Sequence, residues 1–61
     1  MDAVGRDMRA LRIAEAIGVN YSKALKIWRA NEGLQLTLDR HSTDEEVKEA
    51  FRREGLTQHL S

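Results

Sequence analysis

The sequence predicts a small, mainly α-helical domain of three helices and one short strand, and three observations predict it. Apolar residues recur at three- and four-residue spacing through much of the chain, the signature of helices with one buried face. Four glycines and no proline punctuate that pattern. In one place the period changes: Leu34, Leu36 and Leu38 alternate with Gln35, Thr37 and Asp39, as on a strand with one buried side. Sixty-one residues make a single domain, near the lower limit for folding unaided.

The first helix is expected from about residue 3 to Ile17, with Val4, Met8, Leu11, Ala14 and Ile17 along its apolar stripe and Gly5 weakening its first turn. The second begins after Asn20, whose side-chain oxygen can take an orphan amide hydrogen, and ends near Asn31. At about 100° per residue, Tyr21, Ala24, Leu25, Ile27 and Trp28 fill one arc of this helix, and Ser22, Lys23, Lys26, Arg29 and Ala30 fill the other. The exposed arc therefore holds three positive charges and no negative one. The strand covers about residues 34–39, although Leu34 and Leu38, four apart, would also suit a short helix. Thr43-Asp-Glu-Glu46 then reads as a capping box, with acids at the positive end of the helix dipole. It opens a third helix over about 43–54, with Val47, Ala50 and Phe51 as its stripe. Gly18, Gly33 and Gly55 each precede an apolar residue and read as left-handed helix stops. Residues 57–61 are expected to form a loose tail.

Composition narrows the function. With no cysteine, the chain has neither a disulfide nor a thiolate for zinc or nucleophilic attack. No segment approaches eighteen consecutive apolar residues, and the N-terminus lacks the basic-then-apolar order of a signal peptide. A cytoplasmic location without membrane contact is the expectation. Net charge is zero, but residues 1–31 hold six Lys/Arg against three acids, and residues 32–61 hold four against seven. A basic half suits a polyanion. The core of so small a domain rarely supplies more than roughly 3–5 kcal/mol, which makes a homodimer the expected way to bury more surface.

The most informative segment is Ala10-Leu-Arg-Ile-Ala-Glu-Ala-Ile-Gly-Val-Asn-Tyr-Ser-Lys-Ala-Leu-Lys-Ile-Trp-Arg29. Two helices that cross steeply need a small residue at the crossing, here Ala14, and a residue tolerant of positive φ at the bend, here Gly18. Ile13, Ile17, Val19, Ala24 and Ile27 fall where such a crossing places the shared core. This stretch, within about residues 10–31, resembles the helix-turn-helix of bacterial and phage transcription regulators. The resemblance implies a second helix that enters the major groove of double-stranded DNA. It would bring Asn20, Tyr21, Ser22, Lys23 and Lys26 to the DNA, with Arg29 on a phosphate. The implied function is a small transcriptional regulator that binds a specific DNA sequence. An ordinary helical hairpin with a solvated Lys/Arg face is the plainer alternative.

Ile17-Gly-Val, Ala24-Leu25 and Ala30-Asn-Glu-Gly-Leu also resemble the three-helix ubiquitin-associated type of domain. That resemblance implies a small non-catalytic protein-interaction module with a protein partner. It requires the third helix to be Leu34–His41. Catalysis is not expected: His41, Ser42 and Asp44 are neighbours in sequence, whereas triads are assembled from separate elements. Two isolated histidines without cysteine partners make no metal site, and no cofactor is expected. The strand adds one further expectation. Alone it has no ladder partner, so a two-fold axis is expected to pair Leu34–Asp39 with a second copy. Leu34, Leu36 and Leu38 would then lie over Trp28 and Phe51.

Overall fold

The computed structural model describes residues 7–60. Four helices follow in order: α1 (Met8–Ile17), α2 (Tyr21–Ala30), α3 (Glu32–Thr37) and α4 (Asp44–Arg53), with a 3-10 turn at Thr57–His59. No strand occurs among the described residues. Helix α1 packs on both α2 and α4, and α3 also touches both. Phe51, Ile13, Leu34 and Val47 are the largest side chains fully enclosed where these helices meet.

Helix α1 starts later than its periodicity suggests, because Asp7 is extended (φ −81°, ψ 118°) and its carboxylate accepts the Arg9 N–H. The expected contributions of Val4 and Gly5 lie outside the described residues. The buried stripe is Ala10, Ile13 and Ala14, joined by Ala16, with Ile17 partly buried. Met8, expected on that stripe, is 50% exposed. A helix that serves two neighbours buries a broad face, and small alanines fill the places of close approach. At its end Gly18 adopts the left-handed conformation (φ 74°, ψ 33°). The Gly18 and Val19 N–H groups both reach the Ala14 carbonyl, at 2.9 and 3.2 Å. Ala24, Ile27 and Trp28 are the buried residues of α2.

The stretch expected as a strand is α3, and the register of its leucines explains why. Leu34 and Leu38, four residues apart, are 0% and 4% exposed, while Leu36 between them is 80% exposed. Leu38 N–H donates to Leu34 O at 2.9 Å, and Leu34 and Gln35 N–H both donate to Asn31 O. The helix satisfies its backbone locally, at about 0.5–1.5 kcal/mol net per bond. An isolated strand would have needed another chain. Gly33 is accordingly not a helix stop: it sits inside α3, and only Gly18 and Gly55 have positive φ among the described residues. The stop is Asn31, extended, with Nδ2 donating to Ile27 O at 2.7 Å.

Between α3 and α4, Asp39 Oδ1 accepts the His41 N–H (2.7 Å) and Ser42 Oγ accepts the Asp39 N–H (3.0 Å). Thr43 then opens α4 with the expected capping box to Glu46. Arg12 ties this junction to α1: its Nε donates to Ser42 O at 2.6 Å, and its other nitrogens pair with Glu15 and Asp44. Helix α4 ends at Arg53, and left-handed Gly55 (φ 75°) directs Leu56 back, its N–H on Phe51 O at 2.8 Å. Residues 57–60 of the expected loose tail are folded against the core, and Ser61 lies outside the described residues. His59 meets Phe51 edge-on with ring centroids 6.2 Å apart, and Leu60 packs on the core cluster. None of the described helices is long and apolar enough to cross a membrane.

Candidate nucleic-acid interface

The exposed face of α2 gathers the residues that sequence reasoning singled out, and the local chain chemistry fixes how the helix is held. At its start, Asn20 is extended and its Oδ1 accepts the Lys23 N–H at 2.8 Å. At its end, Gln35 reaches back from α3, its Nε2 3.1 Å from both Trp28 O and Arg29 O. With Asn31 on Ile27 O, three of the last four carbonyls of α2 have side-chain donors. Helix α2 is thus clamped at both ends by side-chain amides.

Of the six candidates, Ser22, Lys23, Lys26 and Arg29 are exposed together on this helix. No side-chain partner of Lys23, Lys26 or Arg29 exists among the described residues. Asn20 is exposed as well, but its oxygen is engaged in the cap. Tyr21 stands apart from the other five. It is half-buried, and its hydroxyl accepts the Asp7 N–H at 2.8 Å, which joins the start of α2 to the start of α1. Its ring packs against the core, the side on which the helical wheel places it.

Trp28 is 8% exposed, with the Arg9 guanidinium 5.1 Å from its ring centre. A cation over an indole face is an attractive arrangement, so Arg9 serves the fold there. The other arginines are mostly committed too: Arg12 to Glu15 and Asp44, Arg52 to Glu49 at 3.1 Å. Six of the nine described acids are similarly occupied. Asp7 and Glu46 cap helices, Asp39 folds its turn, and Asp44, Glu15 and Glu49 pair with arginine. The exposed face of α2 thus carries one sign on a chain of zero net charge.

The neighbours His41, Ser42 and Asp44 diverge. Ser42 is buried with its hydroxyl on Asp39, the His41 ring meets Arg40 Nε at 3.2 Å, and Asp44 turns to Arg12. Among the described residues, no group of three or more His, Asp or Glu side chains could hold a metal ion. No protein-family model, curated protein or solved structure matches this chain.

Proposed function

We propose that this chain binds double-stranded DNA through the exposed face of α2, with α1, the Gly18 bend and α2 acting as a helix-turn-helix, in the manner of a small transcriptional regulator. One observation carries the reading: Lys23, Lys26 and Arg29 share an exposed face without an acid on the helix or a partner within the described residues. Free cations on a helix held rigidly at both ends suit a polyanion with a groove about as wide as a helix. Ser22, Lys23, Lys26 and Arg29 form the contact surface, and Asn20 and Tyr21 hold the helix that presents it.

Fluorescence anisotropy with a short labelled duplex tests this. Two or three phosphates neutralised per chain give a log–log salt slope between about −1.8 and −2.7, so a fourfold rise in salt weakens binding roughly ten- to fortyfold. Lys23→Ala with Lys26→Ala should abolish most of the binding and leave the thermal melt unchanged. Unaltered affinity in that double variant, or affinity indifferent to salt, removes the reading.

A protein-interaction module is the second reading, and Leu36 favours it. A leucine 80% exposed on a well-anchored helix offers apolar area to a protein. A helix at this place is also what the ubiquitin-associated resemblance requires, although α3 spans Glu32–Thr37 instead of reaching His41.

A further inference from the structure

The angular layout of α2 divides its exposed residues into unequal roles. At about 100° per residue, Lys26 lies at the centre of the exposed arc, with Ser22 and Ala30 about 40° to either side and Arg29 and Lys23 about 60° to either side. Beyond them the arc is closed at about 100° on each side by half-buried Leu25 and by Ile27, which is 8% exposed. The face is therefore symmetric about Lys26. Ser22 and Ala30 are short, so Lys26 alone among the central residues carries a long side chain.

A helix with side chains is about 10–12 Å across and fills a major groove about 12 Å wide. In a filled groove the central residue faces the floor, where base edges lie. Residues about 60° away on opposite sides face opposite walls, where the phosphates of the two strands lie. Lys23 and Arg29 are also about 9 Å apart along the axis, which staggers them on the two strands. We infer that Lys26 reads a guanine at the groove floor, while Lys23 and Arg29 each hold a phosphate on opposite strands. This rests on the DNA-binding reading above and gives separate roles to Lys23 and Lys26, which the resemblance brought alike to the DNA. An ammonium at the floor finds the O6 and N7 acceptors of guanine, the pair that lysine recognises in this groove.

The test uses the full chain, a labelled duplex of mixed sequence, and a site enriched from a randomised duplex library by the wild-type protein. Lys23→Ala and Arg29→Ala should each weaken binding to both duplexes by the same factor and each lower the salt slope by about 0.9. Lys26→Ala should instead reduce the preference for the enriched site roughly ten- to hundredfold. Enrichment repeated with Lys26→Gln should replace one guanine of the site by adenine, since glutamine pairs with adenine N6 and N7. All three positions are exposed, and circular dichroism should show unaltered folding. If the wild type binds duplex with steep salt dependence but enriches no site, or if Lys26→Gln enriches the wild-type site, the assignment of Lys26 is overturned and DNA binding stands. If the wild type does not bind duplex at all, DNA binding itself falls.

Discussion

A Cβ at Gly18 would meet no atom within 4 Å, so the whole cost of replacing this glycine lies in the backbone. At φ 74° an L-residue is strained by about 1–2 kcal/mol. Against a stability of roughly 3–5 kcal/mol that is a large fraction. Gly18→Ala should lower the melting temperature clearly, and Gly18→Val more. Gly33 is the opposite case. It lies in the first turn of α3, and the atoms nearest a Cβ there would be the carboxyl end of Glu54. Glu54 is exposed and can swing aside. Gly33→Ala should then stabilise by up to about 1 kcal/mol through helix propensity. Thermal melts of the two alanine variants check both signs. A fall at Gly33 would mean that Glu54 is held in place there.

At the level of elements, the same contrast separates two leucines of α3. Leu34 is fully enclosed and Leu36 is 80% exposed, so Leu34→Ala should cost about 2–5 kcal/mol, enough to unfold most of the population. Leu36→Lys should leave the circular dichroism melt nearly unchanged. Equal damage at both positions would restore the strand, which puts them on one face. Three leucines at alternate positions satisfy period two, while the outer pair alone also satisfies a helix, so periodicity does not separate the two. What decides is Asn31 and Gln35, which join α2 to α3 through side-chain amides, and no periodicity encodes that join. Where a cap is spelled in the sequence, as at Asn20 and Thr43, the boundary was legible to the residue. The basic face of α2 was legible for the same reason: a capped helix has a fixed wheel. The partner of the Tyr21 hydroxyl was not, since it is the backbone of Asp7, fourteen residues away.

For the whole molecule, loss of the strand alters the argument for a dimer. The expected pairing of Leu34–Asp39 across a two-fold axis needs extended backbone with free ladder groups, and α3 turns those groups inward. The tail supplies some of the burial that a second copy was expected to provide: Leu56 and Leu60 pack on the core, and His59 covers Phe51. Twelve buried apolar residues then form one cluster within a single chain. Among the described residues the large apolar side chains left exposed are Met8 and Leu36, far less area than the roughly 800 Å² per partner of a standard interface. The free chain should therefore sediment as a folded monomer at high concentration, and Leu36→Lys should sediment identically. A duplex with one copy of the enriched site should bind one chain by mass. A wild-type dimer that Leu36→Lys dissociates would transfer the argument to α3 as a protein-binding surface. It would also set two α2 faces in a fixed relation, and the enriched DNA site should then be a palindrome.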